Sequence, residues 1–330
     1  MPKPRPIGHD AGMGFLVEPV PPRGAAIEVM RGVSRIVADN PGVMTYHGTN
    51  SYLVEAAAGL AVIDPGPEDE AHVRDLLAAA GARPVTLILL THTHADHFGA
   101  LPALAAATGA PVAAFKSPAK AGFKPDIELA DGDAVHGFTA VHTPGHAADH
   151  LCFAHHARDG RKALFSGDHV MSWSSSIVSP PEGDMGDYYR SLEALLRRDD
   201  DVFLPGHGPL LAQPRQLTAE LLAHRQRRER AVLAALAERD WSVAGLAAKL
   251  YGKADLFLKA AAQRNVLAHL LKLKQEGTVG ELEPEAQTHP DNLALAAMAE
   301  HNKAWRGRVS GLRADGVRRF GLRARAASSH

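Results

Sequence analysis

The stretch LLTHTHADHFGALPAL, residues 89–104, decides how the rest of the chain is read. An apolar, strand-like run leads into it and an Ala/Leu-rich helical run follows. Between them, His92, His94, Asp96 and His97 fall within six positions. In extended backbone, residues two apart project to the same side, so His92 and His94 can converge on one ion. Asp96 and His97 open the next helix and face the same space from the turn. Imidazole nitrogens and carboxylate oxygens are ordinary zinc ligands in roughly tetrahedral sets. Four such side chains exceed what one site draws from a single loop, so two sites are admissible. Taken alone, the stretch also fits a solvated loop.

Three distant pieces bear on that choice. Each places a ligand-type residue in a turn after a strand, where a sheet scaffold presents functional groups. HTPGHAADH offers His146, LFSGDHV offers Asp168, and FLPGHGP offers His207. Around them, strand-like runs (AIEVM, VSRIVADN, SYLVE, LAVIDPG, PVTLILL, APVAAF) alternate with helical ones such as PEDEAHVRDLLAAAGA. A second strand-rich block runs from DIELADGDAV through FTAVHTPGHAADHLCFAHHA to KALFSGDHVM, before the helical GDYYRSLEALLRR. The pattern predicts an α/β protein with two sheets covered by helices.

Composition narrows the class. With 45% hydrophobic and 22% charged residues, the 330-residue chain reads as an ordinary globular protein. No apolar run approaches a membrane span, and the Pro/Gly-rich N-terminus has no apolar signal core. The single cysteine, Cys152, rules out an intrachain disulfide and argues against Cys-based zinc. The expected compartment is the cytoplasm. Charge is split: residues 1–212 carry 16 Lys/Arg against 25 Asp/Glu, and residues 213–330 carry 20 against 12. Opposite signs predict two modules. The expected organisation is a Pro-rich lead-in (1–26), a catalytic domain (27–212), a helical domain (213–282), and a basic, poorly ordered tail (283–330).

In order across residues 45–210, the Asp64 turn in VIDPG, then THTHADH, HTPGH, SGD and PGHG resemble the metallo-β-lactamase superfamily. The resemblance implies an αββα sandwich with metals at the rim between its sheets. Position by position, it implies one metal held by His92, His94 and His146, a second held by Asp96, His97 and His207, and Asp168 bridging them. A bridging water or hydroxide would be the nucleophile, and Asp96 would help orient it. Asp64 would orient a ligand histidine from behind. His142 and His150 lie outside this pattern and are expected to be structural, with His155 and His156 at the surface. His169 and the serines Ser174, Ser175 and Ser176 are candidates for the cleft.

Departures narrow the branch. Asp168 stands where the zinc lactamases present a cysteine, so lactamase activity is not expected. His94 is not a glutamate, which argues against the di-iron flavoproteins. The 38 residues between Asp168 and His207 cannot hold the inserted cap domain of the large RNA-processing branch. Glyoxalase II shares all seven ligands, but its C-terminal thiol-ester-binding motif has no counterpart here. DWSVAGLAAKLYG and AAAQRNVLAHLLKLKQEGTVGEL resemble a winged helix with its wing turning at Gly277. This tail is similar to that of the β-lactamase-like protein 2 group, which includes a mitochondrial single-strand endoribonuclease.

The expectation is therefore a dinuclear hydrolase with two Zn2+ per chain, iron or manganese being chemically admissible. A metal-bridging hydroxide would attack an ester, thioester or related small substrate. The alternatives are a single-strand-selective endoribonuclease and a nucleic-acid-binding protein with a degenerate hydrolase fold. Single-stranded RNA would be held by Arg225, Arg227, Arg228, Arg264, Lys272 and Lys274 of the basic module. A homodimer through the winged helix is the other partner considered, and no membrane partner is expected.

Overall fold

The computed structural model describes residues 13–56, 58–252, 256–283 and 318–323. Among these, seven strands form the first sheet, in sequence order from edge to edge. β1 (Ile27–Met30), β2 (Val33–Val37), β3 (Asn50–Ala56) and β4 (Gly59–Ile63) form an antiparallel meander. β5 (Val85–Leu89), β6 (Val112–Phe115) and β7 (Ile127–Leu129) then add in parallel. The crossovers carry α1 (Glu70–Ala80), the single turn α2 (Ala95–Phe98) and α3 (Leu101–Thr108). The first of these helices starts where Asp69 accepts a hydrogen bond from the Ala71 amide at 2.8 Å and stops at Gly81.

The apolar residues alternate by face, as a doubly covered sheet requires. Tyr52, Val54, Ala61, Ile63, Leu87 and Leu89 enter the core shared with the second sheet. Leu53, Leu60, Val62, Ile88 and Leu90 point the other way, against Val73, Leu76, Leu101 and Leu104 of α1 and α3.

The second sheet joins β8 (Ala134–Val135), β9 (Phe138–His142), β10 (Leu151–His156), β11 (Lys162–Gly167) and β12 (Val202–Pro205). Only its β11–β12 pair is parallel. Phe138, Phe153, Phe165 and Leu204 bring this sheet into the shared core. Between the last two strands lies α4 (Met185–Leu196). Tyr188 and Ser191 of that helix donate to the His169 and Pro144 carbonyls at 3.1 and 2.8 Å, tying it to two loops of the second sheet.

The chain divides into two compact units, residues 1–176 with 187–221, and residues 177–186 with 222–330. The long helix α5 (Pro214–Glu238) begins in the first and ends in the second. The second unit continues with β13 (Trp241–Ser242), α6 (Val243–Tyr251), α7 (Leu256–Gln275), β14 (Val279–Leu282) and β15 (Arg319–Leu322). Its core gathers Val232, Leu236, Leu246, Val266, Leu270 and Phe320. Low order was expected from residue 283 onward. Yet Arg319–Leu322 is the central strand of a three-stranded sheet, between Trp241–Ser242 and Val279–Leu282. Burial of Phe320 and pairing on both sides outweigh the weakly apolar surroundings. The rest of that segment, 284–317 and 324–330, lies outside the described residues, as do residues 1–12 of the lead-in. Among the described residues, no helix is long and apolar enough to cross a membrane.

Candidate metal centre

All seven sequence-predicted ligand residues come together where strands of the two sheets end. His92 and His94 follow β5, and Asp96 and His97 lie in the turn of α2. His146 lies in the loop after β9, Asp168 directly follows β11, and His207 follows β12. Three groups have ligand atoms mutually within 4.8 Å: His92, His94 and His146; His92, His97 and Asp168; and Asp96, His97 and His207.

In the first group, His94 Nδ1 lies 2.9 Å from His92 Nε2 and 3.0 Å from His146 Nε2. Nitrogens around a tetrahedral zinc sit roughly 3.3 Å apart for bonds of about 2.0 Å. In the second set, His207 Nε2 lies 3.4 Å from Asp96 Oδ2 and 3.4 Å from Asp168 Oδ1. His97 Nε2 is also 3.4 Å from Asp168 Oδ1, whereas Asp168 Oδ2 is 3.7 Å from His146 Nε2. The two oxygens of one carboxylate thus face the two nitrogen sets separately.

Hydrogen bonds outside the cluster fix which ring nitrogen faces in. His97 Nδ1–H donates to Asp64 Oδ2 at 2.8 Å. Thr91 donates its hydroxyl to the same oxygen at 2.7 Å, so its lone pair accepts from His92 Nδ1–H at 3.0 Å. The Gly48 carbonyl accepts from His207 Nδ1–H at 3.3 Å. In its neutral form each of these three rings therefore turns an unprotonated Nε2 inward, the tautomer a metal needs. His97 Nε2, His207 Nε2 and Asp168 Oδ1 are buried without a hydrogen-bond partner. Buried polar atoms are rarely left so, and a nitrogen–oxygen set sharing one point fits a divalent ion.

Electrostatics agree. Burial would raise the Asp168 carboxyl, but His207 and His97 hold it well below the usual range. Burial would lower His207, but Asp168 and Asp96 push it up to about 9. His97 is likewise held well above its usual value against burial, by Asp168 and Asp64. His92 is pushed well below by burial, and next by His97 and His94. The carboxylates create negative potential at the His97 and His207 nitrogens, the environment a cation occupies.

Sequence reading missed several supports. Asn50 donates to the Pro205 and Gly208 carbonyls, both at 2.8 Å, and Tyr52 donates to Pro205 at 2.7 Å. These bonds hold the loop that carries His207. At Gly206 a Cβ would fall 2.6 Å from His97 Cε1 and 2.7 Å from Asp168 Oδ1, so only glycine leaves room for both. Other expectations fall away from the cluster. His169 is fully buried against Tyr188, outside the three ligand groups. Ser174 and Ser176 are buried rather than at a rim, and Ser176 donates to the Asp168 and His169 carbonyls. His142 stacks on Phe115, and His155 stacks on Phe138.

Residues 44–207 match the metallo-beta-lactamase superfamily, and residues 242–285 match the beta-lactamase associated winged helix domain. A beta-lactamase-like protein 2 homolog of Drosophila melanogaster is 30% identical over 281 residues, 77% of this chain and 91% of that protein. The chain belongs to the metallo-beta-lactamase superfamily. An atrochrysone carboxyl ACP thioesterase of Aspergillus chevalieri is 32% identical over 68% of this chain and 72% of its own length. A beta-lactamase domain protein from Burkholderia ambifaria shares the fold at a TM-score of 0.72 and 22% identity, covering 94% of this chain and 97% of its own. As a superfamily member with a winged-helix domain, the protein is a metal-dependent hydrolase.

Proposed function

We propose that this superfamily member is a dinuclear hydrolase of esters, thioesters or related small acyl substrates. His92, His94 and His146 would hold one ion, and Asp96, His97 and His207 the other, with Asp168 shared. The observation that carries this reading is the split of Asp168, with Oδ1 toward His97 and His207 and Oδ2 toward His146. Two dications repel each other, and a carboxylate between them offsets that repulsion while fixing their spacing. Zinc is the expected metal, and such a pair supplies an acidified water and a Lewis acid for the scissile carbonyl. Of the seven residues, only His94 and Asp96 are partly exposed, so substrate approaches over them. Asp96 is then placed to orient a water and accept its proton.

The basic residues of the winged-helix region favour a small substrate over RNA. Arg228 donates to the Leu250 carbonyl and covers the Tyr251 ring, and Arg264 is spent on Ser179 and Pro180. Lys272 pairs with Glu229 and Glu276, Lys274 pairs with Glu281, and Arg225 is buried. Of the six candidates, only Arg227 stands exposed with no partner of this kind among the described residues. The thioesterase name of the Aspergillus relative supports an acyl substrate. In domain terms, 27–212 would be the catalytic region and 213–282 the winged-helix region.

Metal quantification on the full-length protein, followed by a screen of aryl esters, acyl thioesters, lactones and end-labelled RNA on the same sample, tests this. Chelator-sensitive hydrolysis of an ester or thioester, with RNA uncut, is the expected result. RNA cleavage that weakens with salt and with Arg227→Glu would assign phosphodiester hydrolysis instead. A protein that neither contains nor acquires zinc, iron or manganese would sink the hydrolase reading.

A further inference from the structure

Two adjacent buried residues outside the ligand set, Asp149 and His150, each reach a different part of the cluster. They follow His146 by three and four positions, just before Leu151–His156, and are 2% and 0% exposed. Asp149 Oδ2 accepts from the Thr93 hydroxyl at 2.6 Å and from the Ala119 amide at 2.9 Å. Thr93 lies between His92 and His94, and its lone pair accepts the Lys120 amide at 3.1 Å. Asp149 therefore clamps the loop that presents two of the three histidines of the first group.

His150 reaches the other way. Its Nε2 accepts the Asp168 backbone N–H at 3.2 Å. That contact requires an unprotonated Nε2, so Nδ1 carries the hydrogen and donates to Thr143 Oγ1 at 2.8 Å. The Thr143 hydroxyl is then free to donate to Cys152 Sγ at 3.2 Å, and the thiol donates to the Ser166 carbonyl at 3.8 Å. The chain of donors thus begins at Asp168 and ends at Ser166, two residues earlier in the same strand and turn. Gly167 lies between them at φ +48°, and a Cβ there would stand 2.5 Å from His150 Nε2. Only glycine permits the approach.

Resting on the two-ion reading above, we propose that Asp149 and His150 are positioning residues that brace the metal centre in two directions. Asp149 sets the His92–His94 loop, and so acts on the three-histidine ion. His150 sets Asp168, whose oxygens face both sets, and so acts on both ions. Partners behind metal ligands commonly matter by roughly 10- to 100-fold in metal affinity.

The test uses full-length protein stripped by chelator and retitrated with zinc against a chromophoric competitor, with cobalt(II) spectra as a second readout. Two amide variants separate bracing from mere filling. In His150→Gln the side-chain carbonyl can still accept the Asp168 N–H. In His150→Asn the shorter amide can reach only Thr143. The expected result is near-wild-type affinity in His150→Gln and a roughly 10- to 100-fold loss for both ions in His150→Asn. Asp149→Ala should drop the stoichiometry from two toward one and change the cobalt spectrum of the three-histidine site alone. Asp149→Asn, which keeps an acceptor for Thr93, should retain more of that ion. Wild-type affinities in His150→Asn and Asp149→Ala, or equal losses in both His150 amides, would overturn the brace while leaving the hydrolase reading intact. A wild-type protein that acquires no metal overturns both.

Discussion

Asp64 Oδ2 accepts the Nδ1–H of His97 at 2.8 Å, and the same oxygen holds the Thr91 hydroxyl at 2.7 Å. One buried carboxylate thereby sets the tautomers of two cluster histidines, His97 directly and His92 through Thr91. Asp64→Asn keeps the shape but presents an N–H toward one of these donors. Zinc affinity is expected to fall roughly 10- to 100-fold, and turnover with it. Competition with a chromophoric chelator measures the first directly; an unchanged affinity would remove Asp64 from any role at the centre.

Asp168→Ala removes both oxygens that face the two nitrogen sets. Turnover should fall by at least about 100-fold and metal content should drop, because two ions would then sit together without the intervening charge. Steady-state kinetics paired with elemental analysis checks this. Full metal content with unaltered rate would refute the shared position.

Gly206→Ala places a methyl within 2.7 Å of both His97 and Asp168. The expected outcome is a protein with native far-UV circular dichroism and a much weaker second set. Normal metal stoichiometry in this variant would show that the two side chains can give way.

Chelation should lower thermal stability as well as activity. An ion that binds only the folded chain contributes about 2.7 kcal/mol at a hundredfold over its Kd. For a chain of this size, loss of such binding should reduce Tm by about 4 °C per ion. Differential scanning with and without chelator, then with zinc restored, reads the effect.

A separate histidine sets an acid limit. His72 is buried in the first helix beside Ser51 Oγ at 2.8 Å, and burial pushes it down to about 4 from 6.5. The unfolded chain gains this proton below about pH 6.5, whereas the folded chain does so only below about 4. The contribution is therefore complete above 6.5 and is lost as pH falls toward 4, by on the order of 3 kcal/mol. The pH slope of the urea midpoint should be shallower in His72→Gln than in wild type across that window. Parallel slopes would exclude His72 as its source.

The clustered His/Asp set was legible because its spacing is local. His92 to His97 lie on one strand exit and one helical turn, and the remaining three sit in Gly- or Pro-marked turns. Two sheets were legible from alternating apolar runs, which bury Leu53 and Val54 on opposite faces, but their membership was not: DIELADGDAV was read into the second block, whereas Ile127–Leu129 pairs with Val112–Phe115 of the first sheet. Asp64 apart, what holds the clustered residues was not legible. Asn50 and Tyr52 act on a loop more than 150 residues away, through a contact that exists only once the two sheets have met. Asp149 carried no expectation and His150 only a structural one, because their partners Thr93 and Asp168 lie 56 and 18 residues away. RFGL lies among arginines and glycines, and its strand character comes from partners at Trp241 and Val279 rather than from its own composition.

That strand has a consequence for synthesis. Arg319–Leu322 sits between the other two strands of its sheet, yet it is the last described segment to leave the ribosome. Every residue of the candidate metal centre emerges more than 100 positions earlier, so the first unit can close while the chain is still growing. The second unit must wait with Trp241–Ser242 and Val279–Leu282 as unpaired edges, the kind of surface that recruits chaperones or a neighbouring nascent chain.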